Sequence, residues 1–204
     1  MKIKTILPII FLSLLSSCLV VKYDQKDTEQ EKSELSPRPK VELSEEYIRS
    51  SQGDLIAFLP NEWFFIDTKG KANPNIFGIA ANPDYSLSFV FYSFGKTPTT
   101  MTFAKEGDLI ALARHSLEQQ LSHSGGIAKL VGDIKSIKIG SKKFAIYKTS
   151  TTGGALISTT AVFFSEFGNC YRVSLIPMDI LGKSIPSASE SDDIFISVLT
   201  GINY

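Results

Sequence analysis

Residues 86–94 read Ser-Leu-Ser-Phe-Val-Phe-Tyr-Ser-Phe, and this stretch decides the fold class. In a strand, alternate side chains point to opposite faces, so Leu87, Phe89 and Phe91 share one face while Val90, Tyr92 and Phe94 share the other. Both faces are apolar, which predicts an inner strand covered on both sides. Upstream, Asn82-Pro83-Asp84 reads as the connection of a hairpin to a strand over 76–80. Two shorter apolar runs precede it, Leu55 to Leu59, stopped by Pro60, and Trp63 to Ile66.

Downstream the period changes. Ile110, Ala113, Leu117 and Leu121 step by three and four, predicting a helix capped by Thr102 or Asp108 and ended by Gly125-Gly126. Strands follow over 134–139, 144–150, 156–165 and 170–176, and turns this short make them antiparallel neighbours. Acids at 190, 192 and 193 load the start of a last helix, whose buried stripe is Ile194, Phe195, Val198 and Leu199. The chain is expected to close with that helix. This order predicts an α+β fold, an antiparallel β-sheet sandwiched by helices.

The amino terminus supplies an address. Lys2 and Lys4 precede an apolar run from Ile6 to Leu15, the pattern of an export signal over residues 1–17. About ten apolar residues are too few to span a bilayer, which needs ~20. The run ends Leu15-Ser16-Ser17-Cys18, which resembles the lipobox of bacterial lipoproteins and marks Cys18 as the lipidated first residue of the mature chain. That resemblance implies a membrane-anchored protein of the cell envelope. Leu19, where an Asp would signal inner-membrane retention, implies the outer membrane facing the periplasm in a Gram-negative host. Acyl chains contribute about 0.8 kcal/mol per buried methylene, and stable anchoring takes more than one. With Cys18 acylated, Cys170 has no partner for a disulfide and reads as a buried structural thiol.

Residues 22–50 carry 14 charged side chains among 29, with Pro37 and Pro39 between them, and read as the charged tether of a segment 18–50. At its end, Ser44 to Arg49 reads as a helical turn. Residues 51–204 are expected to form a single globular domain with one core. Removing residues 1–17 leaves 19 basic against 21 acidic side chains, a balance that argues against nucleic acid as a partner.

Phe58-Leu59-Pro60 followed by Trp63, together with the order of elements, resembles the PsbP-like family, which includes photosystem II lumenal subunits and many bacterial lipoproteins. Members commonly place Gly before the tryptophan, where this chain has Glu62. The resemblance covers roughly residues 53–204 and implies a PsbP-like α/β/α sandwich with a non-enzymatic accessory role, usually the binding of other proteins. It implies no set of catalytic residues.

Chemistry-bearing motifs are absent by spacing. Gly95-Lys96-Thr97 and Gly182-Lys183-Ser184 each look like the end of a phosphate-binding loop, but the glycine needed five residues earlier is Val90 in one and Pro177 in the other. No G-x-S-x-G elbow occurs. His115 and His123 are eight residues apart, about 12 Å along one helix, too far to share a metal ion. Asp192 and Asp193 read as charges offsetting a helix start. No cofactor and no metal site are expected, and no enzyme.

The aromatic content, 14 Phe, 7 Tyr and 1 Trp, carries two readings. These rings are core, or Trp63, Phe64, Phe65, Tyr85 and Tyr92 line a binding surface, since three successive strand residues cannot all point inward. Two functions follow: a lipid-anchored, non-catalytic module that positions or stabilises another envelope protein, or a carrier or sensor of a small apolar ligand.

Overall fold

A computed structural model describes residues 33–151 and 154–204; the export segment 1–17 and Cys18 lie outside the described residues. The first half of the domain runs β1 (Ser33–Leu35), β2 (Leu43–Arg49), β3 (Ile56–Pro60), β4 (Phe64–Phe65), β5 (Ile76–Ala81) and β6 (Leu87–Ser93). Two helices follow, α1 (Pro98–Glu106) and α2 (Leu109–His123). The second half is β7 (Lys129–Ile139), β8 (Lys142–Thr151), β9 (Leu156–Phe164), β10 (Cys170–Pro177), α3 (Ala188–Thr200) and β11 (Ile202–Asn203).

Eight strands form the main sheet in the order β1-β7-β8-β9-β10-β6-β5-β4. Its pairs are antiparallel except β1, which runs parallel to β7. The strand greasy on both faces is indeed internal, with β5 on one side and β10 on the other. On one face Tyr92 and Phe94 meet α2 through Leu112, Ala113 and Leu117. On the other, Phe89 and Phe91 meet α3 through Phe195, Val198 and Leu199. The chain is therefore an α+β sandwich with helices on both faces of a largely antiparallel sheet.

Five expectations need correction. Leu55–Leu59 does not join the main sheet; β3 lies in a second, three-stranded sheet, β11-β3-β2, and the chain ends in β11 beyond the last helix. The tether does not reach residue 50, because Leu43–Arg49 is a strand and not a helical turn. Its Glu45, Glu46 and Arg49 face solvent while Ile48 enters the core beside Leu55 and Ala57, so a high charge count concealed a two-faced strand. Ahead of it the Lys40 and Val41 amides both donate to Ser197 Oγ at 2.9 Å, and Lys40 pairs with Asp193 at 2.6 Å. Within the described residues the domain thus begins at Ser33. Asp192 and Asp193, finally, lie beyond the first turn of α3, which starts at the Ser187 cap with Glu190 completing its capping box. They serve as partners of Lys148, at 2.8 Å, and Lys40.

Two local features let the sheets meet. A side chain at Gly78 would bring its Cβ within 2.6 Å of Ile48 Cγ2, so glycine is what allows β2 to lie against β5. Between β3 and β4, the Trp63 amide donates to the Pro60 carbonyl at 3.2 Å, closing a turn in which Glu62 has φ +67°. That left-handed conformation costs a non-glycine residue about 1–2 kcal/mol. Glu62→Gly relieves it and gives back part of the gain through a looser unfolded chain. We expect a net stabilisation of about 0.5–1 kcal/mol, read as a rise in the thermal midpoint; a fall in midpoint would contradict it.

The helices end where caps dictate. Asp108 caps α2, its Oδ1 accepting from the Ala111 amide at 2.8 Å, one of the two caps expected. The extra helix α1 begins with a Thr97/Thr100 capping box and Pro98 in the first turn.

Candidate functional site

The five aromatics divide. Trp63 is buried, 7% exposed, with its ring 5.0 Å from Phe89, and belongs to the core. Tyr92 lies on the opposite face of the sheet, its hydroxyl accepting from Asn75 Nδ2 at 3.1 Å and its ring covered by the Arg172 guanidinium at 4.3 Å. Both leave the candidate surface, because β6 and the turn before β4 aim them inward. Phe64, Phe65 and Tyr85 remain together at the sheet edge. Phe64 stacks edge-on against Tyr85 at 5.2 Å, while Phe65 and Tyr85 are 45% and 47% exposed. β4 supplies this edge with two residues, Phe64 opposite Ala81 and Phe65 opposite Ala80. Alternation along it separates the half-covered Phe64 from the outward Phe65.

At the other end of β6 lies a cleft of about 260 Å³ between α1 and the β9–β10 turn, floored by Phe94, Ala104 and Cys170. None of the five aromatics lines it, nor the second cleft beside Ile127 and Lys129. Cys170 is buried and donates to the Thr100 carbonyl at 3.6 Å, and burial pushes its thiol up to about 11, so it is a protonated packing group.

Beside the cleft is a polar cluster that no local spacing announces. Asp54, in the β2–β3 turn, accepts hydrogen bonds from Ser165 Oγ at 2.6 Å, Asn169 Nδ2 at 2.7 Å, Ser50 Oγ at 3.0 Å and the Tyr171 hydroxyl. Partial burial pushes the Asp54 carboxyl up, but the bonds from Ser165, Tyr171, Asn169 and Ser50 outweigh it and hold the carboxyl at about 2. Burial first, then the bond to Asp54, pushes the Tyr171 phenol well above its ordinary value, so it stays a donor. An ionised carboxylate saturated by donors is a latch joining two loops; it has no lone pair directed at a substrate.

The two histidines and Arg172 serve helices and packing. His115 Nε2 is 3.1 Å from Gln119 Nε2, and His123 Nδ1 is 2.6 Å from the Gln119 carbonyl. Among the described residues, no three His, Cys, Asp or Glu side chains are grouped to hold a metal ion. Arg172 extends under α2, where its Nη1 donates to Ser116 Oγ at 3.4 Å and burial lowers its pKa.

No protein family and no curated protein matches the chain. Among solved structures it is similar to the solution structure of cyanobacterial PsbP (CyanoP) from Synechocystis sp. PCC 6803. Identity there is 13% and the TM-score 0.58, over 78% of this chain and 92% of that one. A crystal structure from Bacteroides thetaiotaomicron VPI-5482 matches at 16% identity and TM-score 0.40, over 77% of this chain and 47% of that one. The first likeness shows a PsbP-like fold.

Proposed function

We propose that this chain is a lipid-anchored, non-catalytic accessory module of a bacterial cell envelope, whose domain positions or stabilises another envelope protein. The observation that carries the reading is the sheet edge at β4, where Phe65 and Tyr85 are each about half exposed and Tyr85 lies against Phe64. Large aromatic anchors dominate binding energy at protein interfaces, and an edge strand of two residues leaves them accessible. The PsbP-like fold is compatible with an accessory role, and the export signal with Cys18 supplies the anchor. In a Gram-negative host Leu19 favours the outer membrane, facing the periplasm.

One experiment tests anchor and surface together. Cells are fed labelled palmitate, and a photoreactive phenylalanine analogue replaces Phe65, with a second strain carrying it at the exposed Glu118. The mature protein should be labelled unless Cys18 is changed to Ala. Position 65, but not 118, should crosslink to one envelope protein identified by mass spectrometry. Phe65→Ala should weaken that association by about 2 kcal/mol, close to thirtyfold. An unlabelled mature chain removes the anchor from the proposal, and equal crosslinking at both positions removes the surface.

A further inference from the structure

We infer that the cleft between α1 and the β9–β10 turn is a docking site for an acidic segment of a partner protein that inserts one large apolar side chain. Its walls are apolar and unpartnered: Met101 on α1 is 59% exposed, and Phe167, at the tip of the turn, 75%. Burying two such side chains on binding removes apolar surface from water, the main favourable term in association. At about 260 Å³ the cleft is below the ~300–1,000 Å³ of small-molecule pockets, and close to the size of one inserted side chain.

Charge selects the partner. Lys96 and Lys105 line the cleft, no carboxylate does, and neither lysine forms an ion pair among the described residues. Two lysines outside any ion pair among the described residues attract acidic residues flanking the inserted side chain and raise the association rate. Two polar groups of the lining are already engaged: Asn169 Nδ2 donates to Asp54, and the Thr100 hydroxyl donates to the Gly95 carbonyl at 2.8 Å. An apolar group therefore fits where a hydroxyl or amide would lose its water. The Thr97/Thr100 box and the Asp54 cluster also hold both walls in place before binding, which lowers the ordering cost.

The cleft lies beyond the Phe94 end of β6, whereas Tyr85 precedes the strand and Phe65 is in register with Phe89 two strands away, and the cleft needs no acylation. Its failure is therefore separate from failure of the anchored-module reading. The test uses the full-length chain in detergent micelles and a fluorescein-labelled peptide of eight residues, one phenylalanine flanked by glutamates, followed by anisotropy. Changing the phenylalanine to alanine, or the glutamates to glutamine, should each weaken binding about tenfold. The double variant Lys96→Glu/Lys105→Glu and, separately, Phe167→Ala should do the same with unchanged thermal midpoints, and added salt should weaken binding. No binding, equal affinity for the three peptides, or affinity untouched by either variant overturns the inference.

Discussion

Replacing Asp54 by Asn is expected to cost about 3 kcal/mol at neutral pH and to flatten the acid limb of the stability curve. The carboxylate accepts from Ser165, Asn169 and Tyr171, all of them buried. An amide presents a donor where one of its two acceptor oxygens was, so Ser50 and the Tyr171 hydroxyl must turn from donating to accepting, and the remaining bonds lose the carboxylate's charge. A hydrogen bond to a charged group contributes about 1.5–3 kcal/mol, against about 0.5–1.5 kcal/mol for a neutral one. The pH dependence follows from the depressed pKa. Folding lowers the carboxyl from 3.8 to about 2, so its contribution is present in full above pH 3.8 and is lost as pH falls through about 2. Urea titrations of wild type and variant should therefore differ most above pH 4 and converge near pH 2. A difference independent of pH would show that the carboxylate is no latch.

The second large effect separates two neighbours in sequence. Trp63→Ala should destabilise by about 3–5 kcal/mol, because it opens a cavity against Phe89, whose ring lies in turn within 6.3 Å of Phe91 and Phe195. For a domain of this size that lowers the thermal midpoint on the order of 10 °C. Phe65→Ala, two residues on and half exposed, should stay within about 0.5 kcal/mol. Calorimetry on the two variants decides it. If Trp63→Ala melts like wild type, the ring is not core.

That contrast marks the limit of reading a surface from consecutive aromatics. Alternation shows that Trp63, Phe64 and Phe65 cannot all be buried, but which one escapes depends on the turn at Glu62, whose φ of +67° no residue type there announces. The sheet is far more legible: connections of two, four and five residues force β7 to β10 into a meander, and the 3.6 period exposes α2. β2 escapes notice because its partners, Phe58 and Ala57, lie across a turn while its own sequence is dominated by charge. The Asp54 cluster is invisible for a related reason, since residues 50, 54, 165, 169 and 171 meet only after two sheets are stacked. Nothing in the sequence brings Phe167 and Met101 together either, because a single helix start at Thr102 or Asp108 leaves the separate helix α1 and its Thr97/Thr100 box unrecognised.

β1 and β2 also bear on how the protein can be cut. β1 covers the outer edge of β7 over Ile137–Ile139, and the uncovered remainder of that strand is broken by an irregularity between Val131 and Lys135 and carries Lys129 and Lys135. These are devices that discourage edge-to-edge pairing between copies. A fragment starting at residue 51 strips away β1 and β2 at once. It bares three rungs of β7, leaves β3 without its longer partner and empties the place of Ile48 over Gly78. Such a truncation is expected to open a protected sheet to pairing between copies, whereas a fragment from Ser33 onward keeps both strands in place.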